Sequence, residues 1–288
     1  MIIDGRGVLR MKRHLKQAVL IVMLLTACIS CKVWTFAGTN GTTAAAGATD
    51  ITILDGKAYR PDGKMYTGWM EKGEYSYYYA KGNKVTGWRK IEDKRYCFDK
   101  KGRLEKNRIA SVPYKGKYYY VDKDGVLVQG TEMRKAVDFV MQNSGKKNSE
   151  AVRLKQCYQA LCRYPYQRIM TNTLTASNMP VFARYMFNNR QGNCYRYACA
   201  MAYIARALGY QTRVAVGGVT ARGPYAALSP HGWCEVKIDG KWKMIDCSMG
   251  RAYKNVNIYL VTRKQYPFRL RCDQVFTMKI KDGAVAWQ

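Results

Sequence analysis

A cysteine and a histidine in the C-terminal half of the chain are of the types that carry out nucleophilic acyl transfer. Cys194 follows Gly192-Asn193 at the start of an amphipathic stretch, which predicts that it lies in the first turn of a helix. Unpaired backbone N–H groups and the helix dipole stabilise a thiolate at such a position. The chain has two histidines, and His14 belongs to the basic and apolar N-terminal segment. The sequence therefore predicts a reactive thiol with His231 as its base.

A predicted β-hairpin places a carboxylate beside this histidine. Asp239-Gly240 separates two stretches of alternating polarity, which is a strong signal for a two-residue turn. In the register set by this turn, Asp246 faces Trp233 and lies on the same face of the sheet as His231. Diagonal neighbours of this kind are about 7–8 Å apart at the backbone, a gap that two side chains can close. Asp246 is therefore expected to orient the imidazole and to stabilise its protonated form.

Cys194, His231 and Asp246, in that order, resemble the catalytic residues of the transglutaminase-like cysteine superfamily. The resemblance covers roughly residues 150–250 and includes the Gly-Asn-Cys-Tyr segment and the His-x-Trp-x-Glu-Val strand followed by Asp-Gly-Lys-Trp. It implies an α+β fold with a papain-like core. It also implies that Cys194 attacks an amide carbonyl, that His231 takes and returns the proton, and that a thioester forms.

The sequence departs from the family at the site that stabilises the oxyanion. Animal transglutaminases use an upstream tryptophan there, and no tryptophan lies between residues 131 and 232 of this chain. The backbone N–H of Cys194 would supply one donor, and the second donor stays open, with Tyr166 and Gln191 as candidates. We therefore expect a peptidase or amidase in preference to a crosslinking transglutaminase.

Residues 131–288 as a whole are predicted to form this α+β domain. Helical periodicity runs through four stretches before the hairpin, at 132–142, 149–162, around 180–187, and from Cys194 to Leu208. The fold class predicted for the chain is thus α+β, with the transglutaminase-like core C-terminal to a separate module.

Residues 51–130 form that module, in which glycines and aromatic residues recur about every 20 positions. Thr-Gly-Trp occurs twice, and tyrosine-rich runs alternate with Lys-Gly and Asp-Gly turns, which predicts stacked β-hairpins. The pattern resembles the bacterial cell-wall-binding repeat of the choline- or glucan-binding type, which implies aromatic cages or stacking platforms for choline or sugar rings. The residues expected to contact such a ligand are Trp69, Tyr78, Trp88, Tyr96 and Tyr119. Alternatively, these aromatics are only the core of a spacer.

The first 37 residues are predicted to be a signal peptide or a lipoprotein signal. A basic stretch at 11–16 precedes an apolar stretch at 18–27, which is the signal-peptide pattern. The lipobox-like sequence Leu-Thr-Ala-Cys would make Cys28 a lipidated first residue, whereas cleavage after Ala37 would release the protein. An uncleaved anchor is a third possibility. Residues 38–50 are small and polar, and are expected to form a flexible linker.

Composition limits the classes of partner. The net charge of +29 favours anionic partners, and export directs this preference to wall polymers and not to nucleic acid. A hydrophobic content of 48% argues against general disorder. Beyond the signal no Cys-x-x-Cys pair occurs, so we expect buried free thiols, no metal site and no cofactor.

The sequence therefore predicts a secreted or surface-bound thiol acyl-transfer enzyme. Its expected partners are cell-wall polymers, bound by the repeats, and a peptide or protein substrate. Contact with a membrane is expected only through an N-terminal lipid anchor. The alternative is a catalytically silent wall-binding or adhesion protein.

Overall fold

The computed structural model describes residues 50–168, 173–223 and 225–288, and divides the chain into two compact units, residues 1–84 and 85–288. The predicted signal, Cys28 and residues 38–49 of the predicted linker lie outside the described residues. Within the described ranges, no helix is both long enough and apolar enough to cross a membrane.

The described part of the first unit is a small antiparallel sheet with the strand order β1-β2-β5-β4-β3. Its strands are β1 (Thr52–Leu54), β2 (Lys57–Tyr59), β3 (Gly68–Lys72), β4 (Tyr75–Ala80) and β5 (Asn83–Lys84). Alternate residues of β3 and β4 point inward, so that Met70 and Tyr79 are buried against Ala58 and Tyr66. The hairpins predicted from the repeat are present here.

The second unit opens with two further hairpins, which pack on the α+β domain that follows them. Their strands are β6 (Gly87–Ile91), β7 (Lys94–Phe98), β8 (Arg108–Ile109) and β9 (Tyr120–Val121). The Asn107 amide donates to the carbonyl oxygen of Gly209 over 2.8 Å, and Lys94 pairs with Asp282 over 2.5 Å. This compact unit therefore begins inside the predicted repeat region.

Within the described residues five α-helices follow, and four of them match the predicted helical stretches. They are α1 (Thr131–Asn143), α2 (Glu150–Cys162), α3 (Met179–Asn189), α4 (Cys194–Ala207) and the short α5 (Cys247–Ala252). Every residue of α4 from Tyr197 to Ala207 is buried, so the helix lies in the centre of the core and not on its surface. The predicted apolar face of α4 is correct, but it is only part of what the helix buries.

A six-stranded antiparallel sheet packs against α4, with the strand order β13-β12-β11-β10-β14-β15. Its strands are β10 (Thr212–Val219), β11 (Ser229–Ile238), β12 (Lys241–Ile245), β13 (Tyr259–Val261), β14 (Leu270–Lys281) and β15 (Ala284–Trp287). A 3₁₀ turn, Arg263–Gln265, precedes β14. Ile238 pairs with Lys241, so the predicted hairpin register is confirmed. Together with the helices, this sheet confirms the α+β fold class.

Both faces of this sheet are covered, and alternation along β11 divides its side chains between two cores. Cys234 and Val236 join the large core around α4. Trp233 lies on the opposite face in a smaller core with Met244 and Tyr266. Because His231 is two residues before Trp233, it points to the same side of β11.

Candidate active site

Cys194 is the first residue of α4 and is 6% exposed. Asn193 caps the helix, since its side-chain oxygen accepts a hydrogen bond from the backbone N–H of Arg196 over 3.3 Å. The N–H groups of the first turn point towards this position, and together with the helix dipole they favour negative charge there. The predicted position of the thiol at a helix start agrees with the structure.

A glycine brings this helix start close to β11. A Cβ atom on Gly232 would lie 2.6 Å from the ring of Tyr195, which is closer than real side chains approach one another. Gly232 is the residue between His231 and Trp233, so the helix packs on the strand at the point where the histidine is attached. The absence of a side chain there lets Cys194 and His231 line the same cavity.

Asp246 ends the hairpin and begins the next helix. The sequence expectation that it faces Trp233 in the ladder differs from the structure, because β12 ends at Ile245 and Asp246 is the N-cap of α5. Its Oδ1 accepts hydrogen bonds from the Met249 N–H and the Ser248 hydroxyl, each over 3.0 Å. The cap fixes the carboxylate more firmly than a position in the ladder would.

The other oxygen of Asp246 points to the histidine. Its Oδ2 lies 2.6 Å from Nε2 of His231, and it also accepts a 2.7 Å hydrogen bond from the Tyr266 hydroxyl. Burial alone would raise the pKa of this carboxyl, but the hydrogen bonds and the nearby imidazole outweigh it and lower the pKa. Asp246 is therefore held as a carboxylate. Because Asp246 contacts Nε2, Nδ1 is the ring nitrogen that can exchange a proton with the thiol.

His231 is buried, and its pKa depends on Asp246 and Cys194. Burial acts to lower its pKa, but Asp246 and Cys194 outweigh burial and raise the pKa to about 10. The ring of Trp233 lies nearly parallel to the imidazole, with the two ring centroids 6.2 Å apart and the planes tilted by 22°. The arrangement favours an imidazolium next to the cysteine.

The cavity beside these residues is wide enough for a peptide. Its volume is about 1030 Å³, and its walls come from the α4 start, the β11 start, α5 and the loop after β10. Besides Cys194 and His231, the lining includes Tyr166, Tyr195, Tyr253 and Ser248. The chemistry available there is attack of a thiol on a carbonyl with proton transfer through an imidazole.

Tyr166, one of the two candidates for the second oxyanion donor, lies in this cavity. Its backbone forms a parallel bridge with Gly192, and the adjacent Gln167 N–H donates to the Gly192 carbonyl oxygen over 2.9 Å. Burial and the neighbouring Cys194 raise the pKa of Tyr166 to about 12, which keeps its hydroxyl protonated and able to donate. Gln191, the other candidate, is not among the lining residues.

Two supporting residues, Tyr266 and Glu235, were not predicted as site residues, although Glu235 belongs to the His-x-Trp-x-Glu-Val strand. Tyr266 donates to Asp246 from a segment that follows β13, and no periodicity connects the two. Glu235 lies buried behind Trp233, where it accepts from the indole N–H over 2.8 Å and pairs with Arg213 and Arg263 over 2.6 Å each. Burial acts to raise the pKa of Glu235, but the arginines and the indole lower it below its usual value.

The aromatic residues predicted to bind a wall ligand fall into two groups. In the first unit, Trp69 pairs across the hairpin with Tyr78, and their rings meet edge to face with centroids 5.3 Å apart. Both rings are half-buried. Their contact agrees with a stacking platform and equally with a hairpin core.

In the second unit, Trp88 contacts Tyr119 and also Tyr114, a residue that the sequence pattern does not single out. The indole N–H of Trp88 donates to the carbonyl oxygen of Val112 over 2.8 Å. Tyr96 pairs with the residue next to Trp88, which places it on the opposite face of that hairpin. The structure therefore brings Trp88 and Tyr119 together but not Tyr96.

The described residues hold free thiols and no cluster of metal ligands. All eight cysteines there are free thiols, and six of them are buried. No group of three or more histidine, cysteine, aspartate or glutamate residues in the described ranges is arranged to hold a metal ion.

Comparison with known families identifies the C-terminal domain. Residues 137–247 match the transglutaminase-like superfamily, as the resemblance predicted. This family supports a thiol enzyme in general and leaves the specific activity open. No curated protein sequence matches the chain significantly.

Several solved structures are similar to parts of the chain. The choline-binding domain of a Streptococcus pneumoniae protein is 31% identical, over 23% of this chain and 98% of that one, with a TM-score of 0.21. Choline-binding protein F from the same organism is 30% identical, over 28% of this chain and 26% of that one, with a TM-score of 0.22. A candidate cysteine protease from Cytophaga hutchinsonii is 14% identical, over 55% of this chain and 59% of that one, with a TM-score of 0.34.

Proposed function

Because residues 137–247 form a transglutaminase-like domain, we propose that the chain is an exported thiol acyl-transfer enzyme that acts on peptide or amide bonds of wall-associated substrates. The observation that carries this proposal is the buried 2.6 Å contact between His231 and Asp246 beside the cavity that Cys194 lines. Three residues distant in sequence meet there with the chemistry of nucleophile, base and orienting carboxylate.

In the first half of the proposed reaction, the Cys194 thiolate attacks the carbonyl carbon of the scissile amide. The oxyanion that forms accepts hydrogen bonds from the Cys194 backbone N–H and from the Tyr166 hydroxyl. The imidazolium of His231 then gives its proton to the departing amine as the carbon–nitrogen bond breaks. A thioester on Cys194 and a neutral imidazole remain.

In the second half, the neutral imidazole removes a proton from an incoming water molecule. The hydroxide attacks the thioester, the carbon–sulfur bond breaks, and the carboxylic acid product leaves. Cys194 returns to a thiolate next to an imidazolium, which Asp246 keeps oriented. An amine could replace water, but this domain lacks a tryptophan before residue 233 that would match the oxyanion donor of animal transglutaminases. We therefore propose hydrolysis.

The proposed role of the repeats is to hold the enzyme on the wall. Trp69 with Tyr78, and Trp88 with Tyr119, present aromatic edges and faces that are only half-buried. Such rings stack on apolar faces of sugars or surround a quaternary ammonium group. Together with the signal-peptide pattern, they support a secreted or surface-bound enzyme attached to wall polymers.

The test is alkylation of the purified chain by iodoacetamide near neutral pH, read by mass spectrometry of the cysteine peptides. We expect Cys194 to react selectively and the reaction to be lost in His231→Ala. Incubation with peptidoglycan and with a glutamine-containing protein, with and without a labelled primary amine, then identifies the reaction. Cleavage or deamidation supports the proposal, whereas a Cys194 that is no more reactive than the other thiols supports a silent wall-binding protein.

A further inference from the structure

A second cavity adjoins the one that contains the catalytic residues. Its volume is about 800 Å³, and Arg251, Tyr253 and Lys254 line both cavities, so the two share a wall. The second cavity lies between the C-terminal end of α2 and the segment that connects α5 to β13. The two adjacent cavities are together called here the basic groove.

Positive charge lines this groove throughout. The cations of the cavity beside Cys194 are Arg168, Arg222, Arg251 and Lys254, and the second cavity adds Lys155 and Arg163. All six of these side chains are exposed, and neither cavity has an aspartate or glutamate among its described lining residues. Field lines concentrate in a concave surface that carries one sign of charge.

None of these six cations is neutralised within the described part of the chain, where no ion pair involves any of them. Arg251 donates only to the backbone carbonyl oxygens of Cys162 and Arg163, over 3.5 and 3.4 Å. Lys155 lies over the ring of Tyr259, with its Nζ 4.1 Å from the centroid. The groove therefore holds cationic side chains that are available to a ligand.

The groove differs in this respect from other parts of the same unit. Arg213 and Arg263 pair with Glu235, Arg134 pairs with Asp138, and Arg184 pairs with Glu132. A chain with a net charge of +29 has too few carboxylates for all its cations, but the unpaired cations of the groove are gathered on two adjoining concave walls. This arrangement suits an extended anion.

The other lining residues suit a peptide. Tyr158, Tyr253 and Tyr259 supply flat surfaces, and the amides of Gln159, Asn255 and Asn257 supply donors and acceptors for a peptide backbone. Because Arg251, Tyr253 and Lys254 line both cavities, a peptide that reaches Cys194 can extend along these residues towards the second cavity.

We propose that the basic groove binds an acidic peptide segment of the acyl donor, with substrate carboxylates on Arg222, Arg251 and Lys254 and, further along, on Lys155. This inference rests on the proposed function, since the segment is positioned so that a neighbouring amide carbonyl reaches Cys194. It assigns the substrate class as a peptide with several free carboxylates close to the scissile bond.

The first measurement compares two alkylating reagents of similar size, iodoacetate and iodoacetamide, at Cys194 of the full chain. The substituted groove variant is Lys155→Gln, Arg222→Gln and Lys254→Gln. It should lower the ratio of the iodoacetate rate to the iodoacetamide rate about threefold or more, because Arg222 and Lys254 line the cavity of the thiol and their charge attracts the anionic reagent alone. An unchanged ratio contradicts the proposal.

The matched control removes the same charge elsewhere on the same unit, through Lys264→Gln, Lys279→Gln and Lys281→Gln. These lysines are exposed and line neither cavity, so the control should keep the ratio of the unchanged chain. If iodoacetamide itself fails to modify Cys194 selectively, the proposed function fails, and the groove is still tested by the binding measurement.

The second measurement uses the Cys194→Ala chain and a fluorescein-labelled peptide of alternating alanine and glutamate, followed by anisotropy at about 0.15 M salt. The groove substitutions should weaken binding about tenfold, and the control substitutions less than about twofold. Equal weakening in both variants means that diffuse charge alone binds the peptide, which overturns the proposal. A poly(glycerol phosphate) that binds more tightly than the peptide and depends on the same three residues also overturns it, in favour of a wall polymer.

Discussion

At the scale of single residues, the geometry of the site depends on the hydrogen bonds that both oxygens of Asp246 accept. The carboxylate accepts hydrogen bonds from Tyr266, Ser248 and the Met249 N–H, and contacts Nε2 of His231. Each partner favours the ionised form and restricts rotation of the carboxylate. An imidazole held by so constrained an acceptor keeps one orientation towards Cys194.

This bonding predicts the effect of Tyr266→Phe. The change removes a hydrogen bond to a charged group, which is worth roughly 1.5–3 kcal/mol. We expect alkylation of Cys194 by iodoacetamide to slow about tenfold, because a freer carboxylate holds the imidazolium less well. The dependence of the alkylation rate on pH should also change. The part of that profile that reflects titration of His231 should move to lower pH.

Tyr203→Phe is the matched control for this prediction. Its hydroxyl lies 3.3 Å from the Trp287 indole N–H, in a buried contact away from the candidate site. The control should lower the melting temperature without moving the pH profile. A Tyr266→Phe protein that loses stability but keeps the profile of the unchanged chain would show that Tyr266 acts only in packing.

The types and order of the candidate catalytic residues follow from the sequence, but their supporting contacts do not. A helix-start cysteine, a single available histidine and a hairpin register are all local signals. The contact of Tyr266 with Asp246 and that of Arg263 with Glu235 form only after β13 and the following turn fold back on the hairpin. Nothing in the local pattern marks such a return of the chain.

At the scale of elements, the start of α4 positions the nucleophile. Asn193 ends the preceding loop and accepts the N–H of Arg196, so that helical structure begins at Cys194. Gly232 then lets β11 approach the first turn. The first turn is the part of α4 that lines the cavity, since the next turn is entirely buried.

Asn193→Ala should therefore reduce both stability and reactivity. Loss of an N-cap lowers the free energy of unfolding by about 1 kcal/mol, and fraying of the first turn should slow alkylation of Cys194 several-fold. Ser149→Ala removes the cap of α2 and serves as the comparison, since its hydroxyl accepts the Val152 N–H far from the thiol. Both variants should lose comparable stability in urea denaturation. Equal alkylation rates would contradict a role for the cap in the site.

The helices and the central hairpin could be predicted because their signals are periodic or depend on a short turn. Asp239 and Gly240 both have positive φ, as the predicted two-residue turn requires, and this fixes the β11–β12 register. The pairing of β14 with β10 could not be predicted, because more than fifty residues separate the partners. The cap at Asp246 was missed for a related reason, since the ladder pattern ends without a sequence signal.

At the scale of the whole chain, the repeat pattern and the compact units do not coincide. The second unit starts at Val85, and it includes the hairpins of β6 to β9. Asn107 bonds Gly209, and the side chain of Asp122 accepts the N–H of Gly283 over 3.3 Å. Such contacts join residues over one hundred positions apart, so repeat periodicity alone cannot reveal them.

For this reason the wall-binding prediction is tested on the full chain. With Cys194→Ala to prevent turnover, the protein should sediment with Gram-positive cell walls at high salt. Trp69→Ala and Trp88→Ala together should abolish most of this binding, because aromatic stacking persists where surface charge is screened. Tyr225→Ala, which removes an almost fully exposed ring outside the repeats, should leave it intact.

The contrary result would be binding that survives loss of both tryptophans and disappears at high salt. Charge alone would then hold a chain of net charge +29 on anionic polymers. In that case the aromatic residues would be only the core of the hairpins.

In the proposed reaction, Cys194, His231 and Asp246 act as one charged unit. The pKa of His231, raised to about 10, also gives this unit a signature in stability. Because the folded pKa is above the ordinary value of about 6.5, the stabilisation is complete below pH 6.5 and is lost as the pH rises through the folded pKa.

The most direct measurement is an NMR titration of the His231 imidazole, assigned by comparison with His231→Gln, since the chain has only two histidines. We expect a pKa far above 6.5 in the unchanged chain, and a lower pKa in each of the single variants Cys194→Ala and Asp246→Asn. A histidine that titrates near 6.5 and does not respond to either substitution would contradict the catalytic unit and leave the wall-binding protein as the better description.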